Sequence, residues 1–302
     1  SWSAISLPAT MSLIYKVLPQ NKRTMGVSMH SLVRRIPMAL GPVVGGLFIS
    51  IWGERDGVRI AFGAALLMAA VALFMQQRMI EEDNASKANR GDACGLAPEK
   101  NPLKLFRLMN PSMKRLLVTD ILIRFCEQIP YAFVVVWSMK IIAAPVTALQ
   151  FGALTTIEMA TAVLVYIPVA YLADRSTKKP FVAMTFIFFT LFPLVLLFSR
   201  SFEMLIVAFI LRGLKEFGEP TRKALIMDLA PNDCRAGMFG LYYLIRDVIV
   251  AFAALGGAFL WQISPAVNLV TAFAFGIVGT LGFMIFGRDV QVPMGRKGAT
   301  ND

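Results

Sequence analysis

Residues 181–199 read FVAMTFIFFTLFPLVLLFS and contain no charged side chain. A helix of about 20 such residues is long enough to cross the hydrocarbon core of a bilayer. Seven other stretches are mostly apolar and of about that length: Met25–Ile51, Ile60–Gln76, Leu116–Ser138, Leu149–Ala173, Met204–Thr221, Ala236–Gln262 and Ala266–Gly287. Ser1–Tyr15 is apolar but too short to span alone. The sequence therefore predicts an all-α membrane protein with about eight complete transmembrane helices plus one partial helix.

The composition limits the classes of protein to which this 302-residue chain can belong. Hydrophobic residues make up 57% of it and charged residues 16%, yet the net charge is +11. Basic residues confined to loops between apolar helices explain this combination, and no basic face suited to nucleic acid is visible. The three cysteines and the single histidine, His30, show no metal-ligand spacing. We therefore expect no enzymatic activity, no metal site, no cofactor and no nucleic-acid partner.

The basic residues between the predicted helices alternate from one side of the membrane to the other. Of 30 basic residues, 20 fall in one set of connections and 6 within the predicted helices, whereas the other set of connections holds 4, namely Arg55, Arg59, Lys140 and Arg200. Lysine and arginine accumulate in cytoplasmic loops. The sequence thus predicts a multi-pass protein of the cell membrane, in a bacterium the inner membrane, with its C-terminus in the cytoplasm.

An internal repeat indicates two related bundles. When the chain is shifted by 212 residues, Arg23 aligns with Arg235 and Gly45 with Gly257. Both copies enter the membrane from the same side, as in bundles related by an axis along the membrane normal. We interpret the chain as helices four to twelve of a twelve-helix parent, truncated at its N-terminus. Its predicted parts are the remainder of an N-terminal helical bundle (1–79), a cytoplasmic central loop (80–113), a C-terminal six-helix bundle (114–288) and a cytoplasmic tail (289–302).

Three motifs in the chain resemble those of the major facilitator superfamily. Residues 172–180 read LADRSTKKP, which is similar to the family's signature loop, Gly-x-Leu-Ala-Asp-Arg-x-Gly-Arg-Lys. Residues 41–46 read GPVVGG, which looks like the antiporter motif of the family's fifth helix. Residues 212–223 read RGLKEFGEPTRK and resemble the Arg-Gly-rich segment of its fourth and tenth helices. The resemblance covers essentially the whole chain and implies the bundle architecture of that family.

The first two motifs suggest roles for their residues. Asp174 can accept hydrogen bonds from a helix N-terminus and pair with a nearby arginine, in contacts that form in one conformation and break in the other. The expected gating loop comprises Asp174, Arg175, Lys178 and Lys179. Glycines allow a neighbouring helix to approach closely, and proline bends a helix. The expected helix-packing motif comprises Gly41, Pro42, Gly45 and Gly46.

Ionisable side chains within the predicted helices indicate a polar pathway. Each costs about 2.5–3.5 kcal/mol in the middle of a membrane helix unless it is paired or faces water. Asp120, Arg124 and Glu127 share one helix face, and Arg212, Glu216 and Glu219 repeat the same spacing. The candidate substrate and proton pathway residues are Asp120, Arg124, Glu127, Glu158, Arg212, Lys215, Glu216 and Glu219.

Individual roles within this set can be suggested from the residue types. Glu127 and Glu158 are the best candidates for proton carriers, because burial favours the protonated carboxyl. Arg124 and Arg212 are suited to hold an anionic substrate or to serve as counter-charges. An ion-pair network that only holds the helices together remains the alternative.

The sequence as a whole favours secondary active transport of a small solute by alternating access. The glycine-proline motif favours proton-coupled efflux by antiport, and the chain has no nucleotide-binding loop. The alternatives are a proton symporter for uptake and a non-transporting membrane sensor on the same fold. The expected partners are a small-molecule substrate, protons and the lipid bilayer, and the expected oligomeric state is a monomer.

Overall fold

The computed structural model describes residues 11, 14, 18–19, 22–79, 102–231 and 234–287, and all regular structure in that part is helical. The helices are α1 (Arg23–Met79), α2 (Pro102–Leu108), α3 (Pro111–Tyr131), α4 (Phe133–Val136), α5 (Ala148–Arg175), α6 (Lys179–Phe198), α7 (Phe202–Leu214), α8 (Glu219–Leu229), α9 (Arg235–Ile263) and α10 (Pro265–Phe286). A π-helix at Trp137–Ile141 follows α4. The predicted tail 289–302, residues 80–101 of the predicted central loop and most of Ser1–Tyr15 lie outside the described residues.

Several of these helices are long and apolar enough to cross a membrane. Among the described residues they are Arg55–Met75, Ala148–Arg175, Lys179–Phe198, Arg235–Ile263 and Pro265–Phe286. A sixth crossing is formed if Pro111–Tyr131 and Phe133–Ile141, which meet at an angle of 43°, are counted as one bent span. The predicted all-α membrane fold is therefore confirmed, while the number of eight complete helices stays a prediction.

Helix α1 contains two of the predicted spans, which are separated by a break at Gly53. This residue has a φ of 78° and a ψ of 171°, a conformation that glycine adopts at little cost and that interrupts the helical path. The part of α1 before the break packs against α5 and α8. Helices α1 and α9 begin at Arg23 and Arg235, which are the residues that the 212-residue repeat aligns. The structure thus starts both copies of the repeat at equivalent positions.

Two predicted spans are not single straight helices. The span Leu116–Ser138 bends after Tyr131, where Pro130 cannot donate a backbone hydrogen bond, and continues as α4 and the π-helix. The span Met204–Thr221 was expected to be continuous, but α7 ends at Leu214 and the chain turns through residues 215–218 before α8 begins. The reason is local, because Gly218 precedes α8 and Pro220 occupies its first turn, where proline is favoured.

The two largest of the three apolar clusters in the described residues stabilise the C-terminal bundle, which we define as α3 to α10. The larger one contains Ile123 of α3, Phe186 of α6, Ile226 of α8 and Tyr242 of α9. The smaller one is built around Leu154, Phe192, Leu205, Phe209 and Leu269. Along α7 and α8 the charged segment 212–222 lies between the two clusters. The fold therefore encloses a polar layer between two apolar layers.

Close helix contacts at small residues support this arrangement. A side chain added at Gly257 of α9 would meet the backbone of Ile129 in α3, and one at Gly213 of α7 would meet the backbone of Glu158 in α5 at 2.5 Å. Small residues let membrane helices approach until their backbones touch. Asn268 of α10 donates to the carbonyl oxygens of Ile129 at 3.2 Å and Gly257 at 2.8 Å. These contacts fix α3, α9 and α10 relative to one another.

Candidate functional site

Asp120 of α3 is the centre of the innermost group of charges. Its Oδ2 accepts a hydrogen bond from Nη1 of Arg222, and the hydroxyl of Tyr242 donates to the same oxygen at 3.1 Å. Nη1 of Arg246 lies 3.6 Å from it. The side chains of Asp120 and Arg222 are each 1% exposed. Removal of either partner would leave a buried charge that has lost its main counter-charge.

Arg222 is a site residue that the sequence interpretation missed. It follows directly after the predicted span Met204–Thr221, whereas the structure buries it in α8 between Asp120 and Glu219. Its Nη2 donates to Oε2 of Glu219 at 2.7 Å. The available signal was the spacing of three residues between Glu219 and Arg222, which places the two on one helix face.

Arg124 and Lys215 join the remaining carboxylates into one network. Arg124 donates from Nη1 to Oε2 of Glu127 at 2.6 Å and from Nη2 to Oε1 of Glu219. Lys215, in the turn after α7, donates to Oε1 of Glu127 at 2.7 Å and lies 3.7 Å from Oε1 of Glu158. Glu127 and Glu219 are thus each bonded to two bases, and these charge-assisted hydrogen bonds join α3 to α8 and to the turn after α7.

Glu158 of α5 is paired with a base of another helix. Nη1 of Arg212 lies 3.3 Å from its Oε2. The Arg212 guanidinium also lies 5.4 Å from the ring centre of Phe192, 5.5 Å from that of Phe209 and 5.7 Å from that of Tyr131. Rings at such distances attract a cation. Arg212 is therefore held by one carboxylate and three aromatic faces.

Glu216 forms a separate group that connects α1 to the C-terminal bundle. Nη2 of Arg35, on α1, lies 2.5 Å from its Oε1, and the hydroxyl of Tyr166 on α5 donates to Oε2 at 3.0 Å. Nη1 of Arg35 also lies 3.6 Å from the sulfur of Met159. Neither Arg35 nor Tyr166 was among the predicted site residues. All eight predicted pathway residues thus carry ion pairs, seven in one network and Glu216 in this one.

Asp174 lies at the N-terminus of α1. Its Oδ1 accepts a hydrogen bond from the backbone N–H of Thr24 at 3.0 Å, and its Oδ2 accepts one from that of Met25 at 2.9 Å. The first N–H groups of a helix lack partners within the helix and carry a partial positive charge. A carboxylate at the end of α5 therefore caps α1.

The basic residues of the same loop have different surroundings. Lys178 donates to Oδ2 of Asp228 at the end of α8, and Nη1 of Arg23 lies 3.6 Å from Oδ1 of the same carboxylate. Arg175 stacks over Tyr171 at 4.1 Å, and Lys179 donates to the carbonyl oxygen of Met284 at 3.0 Å. Asp228 was not predicted as a site residue, yet it joins the loop to the start of α1.

The predicted helix-packing motif lies in α1, before Gly53. An added side chain at Gly41 or Gly45 would meet no described atom within 4 Å. Gly257, which the repeat aligns with Gly45, is tightly packed against α3. For Pro42 and Gly46 the structure describes the helical backbone alone. The role of the whole motif, Gly41, Pro42, Gly45 and Gly46, in helix packing stays a prediction.

Two comparisons relate this chain to known proteins. The profile of the Major Facilitator Superfamily matches residues 122–301. A region of 116 residues is 28% identical to an uncharacterized MFS-type transporter of Methanocaldococcus jannaschii. That region covers 38% of this chain and 29% of the length of the archaeal protein.

Proposed function

Because this chain belongs to the Major Facilitator Superfamily, we propose that it acts as a secondary active transporter for a small solute. Transport would proceed by alternating access, coupled to protons in the direction of efflux. The observation that best supports this proposal is the layer of paired charges that α3, α5, α7 and α8 enclose between two apolar clusters. Such groups are costly within a membrane, and in membrane proteins they typically mark the path of an ion or a substrate.

The arrangement of these charges supports a substrate path beyond a structural role. Arg124, Glu127 and Arg212 keep 18%, 13% and 13% of their side-chain surface exposed, whereas Asp120 and Arg222 are nearly completely buried. Arg124, Glu127 and Arg212 therefore present both signs of charge to a solute. The buried pair of Asp120 and Arg222 joins α3, which carries Arg124 and Glu127, to α8. Mixed charges beside the aromatic rings of Tyr131 and Phe192 suit a polar or amphiphilic solute.

The gating loop supports alternating access. Asp174 and Asp228 each connect the N-terminal part of α1 to the C-terminal bundle through contacts that a small separation would break. Polar contacts of this kind have two discrete arrangements, made or broken, as a gate needs. We place Asp174 and the C-terminus on the cytoplasmic side of the cell membrane, where basic loops accumulate.

Transport can be tested with purified protein reconstituted in proteoliposomes that contain a pH-sensitive dye. Polar and amphiphilic solutes are first ranked by how far they raise the melting temperature of the protein. The best solute is then loaded on one side of the membrane. Antiport predicts that solute and protons move in opposite directions, and Glu127→Gln should slow both movements.

The other outcomes of this experiment would contradict parts of the proposal. Movement of protons in the same direction as the solute would show symport. Binding of solutes with no flux of solute or protons would indicate a sensor on this fold.

A further inference from the structure

Glu216 differs from the other acids of the predicted pathway in the location of its basic partner. Asp120, Glu127, Glu158 and Glu219 are all neutralised by bases of the C-terminal bundle. Glu216 is paired with Arg35, which belongs to α1. Loss of the charge on Glu216 would therefore weaken the contact of α1 with the bundle, whereas loss of the charge on Glu127 would leave that contact in place.

A stripe of hydroxyl groups lies on α1 between its N-terminus and Arg35. Thr24, Ser28 and Ser31 are 0%, 1% and 6% exposed, and within the described part of the chain their side-chain oxygens have no hydrogen-bond partner. Their spacing of four and three residues, followed by Arg35 four residues later, places all of them on one helix face. Three buried hydroxyls without partners in one row are unusual in a native protein.

The stripe follows the seam between α1 and α5. At one end Thr24 meets Asp174, and at the other Arg35 meets Met159, so the two helices run in opposite directions. A buried hydroxyl without a partner costs about 1–3 kcal/mol. Ordered water relieves this cost where several polar groups are near enough to bond it. A file of water molecules in the seam would reach from the Asp174 end to Glu216.

We propose that Thr24, Ser28 and Ser31 form a hydrated path that carries protons between Glu216 and the Asp174 end of the seam. A hydronium ion of the file gives its proton to the Glu216 carboxylate, which becomes a neutral acid, and leaves a water molecule. Arg35 keeps its charge but loses its ion-pair partner, so α1 separates from the bundle. This inference rests on the proposed function, because the separation is the opening step of alternating access.

The groups around Glu216 are consistent with this role. Arg35 faces it from α1 and Tyr166 from α5, and Lys223 of α8 lies near enough to interact with its charge. Tyr166 can still bond the carboxyl when it is protonated, because the carbonyl oxygen of the acid accepts the tyrosine hydroxyl. Protonation of Glu216 therefore removes its attraction to Arg35 and leaves Tyr166 with a hydrogen-bond partner.

The proposal can be tested by thiol labelling of a position on α1 that is buried while α1 packs against the bundle. Val27 of α1 is 0% exposed, and Val27→Cys is introduced into a variant of the protein in which Cys94, Cys126 and Cys234 have been replaced. Labelling by a maleimide is followed in proteoliposomes at acidic and neutral pH. We expect labelling at least about tenfold faster at acidic pH, because loss of one partner of a buried ion pair costs several kcal/mol.

Variants assign this effect to Glu216. In Glu216→Gln the Val27→Cys reporter should be labelled at both pH values as fast as the parent is at acidic pH. Arg35→Gln, which removes the basic partner of the same pair, should have the same effect. Glu127→Gln, which removes a buried acid paired inside the bundle, should retain the pH dependence. If Glu216→Gln labels as slowly as the parent while Glu127→Gln abolishes the pH dependence, the assignment is wrong.

The hydrated path is tested by kinetics. Ser28→Ala combined with Ser31→Ala should slow the rise in labelling after a sudden drop in pH at least about threefold and leave the final level unchanged. Ser138→Ala is the control, since this buried hydroxyl donates to the carbonyl oxygen of Val134. An unchanged rate in the double variant would overturn the path. Transport measured on the same samples separates this result from a failure of the proposed function.

Discussion

The buried carboxylate of Asp120 in α3 and the guanidinium of Arg222 in α8 form an ion pair between residues that lie 102 positions apart in the sequence. Both side chains are 1% exposed, so neither charge has access to bulk water. The pair connects α3 to α8 just beyond the break in the membrane segment that contains α7. It therefore holds the charged layer in place from the side of the larger apolar cluster.

Breaking this pair from one side should destabilise the protein severely. Arg222→Met leaves Asp120 buried with Arg246 3.6 Å away as its nearest remaining base, and we expect a loss of about 3–5 kcal/mol. Arg222→Met combined with Asp120→Leu should recover much of this loss, because no unpaired charge remains. Thermal unfolding of the single and double variants in detergent measures both effects. A double variant less stable than Arg222→Met would contradict this account.

Adjacent glycines of α9 offer a matched test of helix packing. Gly257→Ala pushes a methyl group into the backbone of Ile129 and should cost about 1–3 kcal/mol. Gly256→Ala meets no described atom within 4 Å and should be neutral or stabilising by up to about 1 kcal/mol, since alanine favours the helix. Melting temperatures of the two variants should lie on opposite sides of the parent value or differ clearly. Equal values would show that α9 does not approach α3 as described.

Asp174→Ala removes the acceptor for two backbone N–H groups of α1. We expect α1 to separate from the bundle more readily, with a change of about 1–3 kcal/mol. The Val27→Cys reporter should be labelled faster at every pH, while the difference between acidic and neutral pH persists. The labelling rate in Asp174→Asn should lie between those of the parent and of Asp174→Ala, because the asparagine amide retains one acceptor oxygen. Arg175→Gln, which loses the stacking on Tyr171, is the control at the neighbouring position and should label slowly.

Arg212→Gln should reduce transport more than stability. Glu158 keeps Lys215 at 3.7 Å as a counter-charge, so the bundle retains a partner for its acid. The aromatic faces of Phe192 and Phe209 lose their cation, and a solute that pairs with Arg212 loses its contact. We expect transport to fall at least about tenfold, the equivalent of about 1.4 kcal/mol. Arg212→Lys should recover part of it, whereas a full rate in Arg212→Gln would exclude a role in solute binding.

The sequence alone predicted the membrane fold and the residues of the charged layer, because both depend on local pattern. The equal spacing of Asp120, Arg124 and Glu127 needs only helical geometry to place them on one face. The partners of those residues depend on packing between distant helices. Pattern alone therefore leaves Arg222 outside the predicted span and gives Glu158 no partner, although α7 and the turn after it bring Arg212 and Lys215 to Glu158.

The break after α7 was missed for a different reason. Apolar and charged residues continue with helical spacing through Lys215 and Glu216, so periodicity gives no warning. The sequence does contain a helix start signal, because Gly218 lies just before α8 and Pro220 lies in its first turn. The turn is also fixed from outside, since the N–H of Gly218 donates to Oγ1 of Thr185 at 2.5 Å. That contact cannot be read from the segment itself.

Asp228 is paired with Lys178 of the bundle and with Arg23 of α1. If α1 withdraws as proposed, the carboxylate keeps Lys178, and the guanidinium of Arg23, which is already partly exposed, becomes more hydrated. Both charges therefore stay paired or hydrated through the proposed motion. This contact can be made and broken reversibly at small energetic cost, whereas the pair of Asp120 and Arg222, which has no access to water, would stay closed.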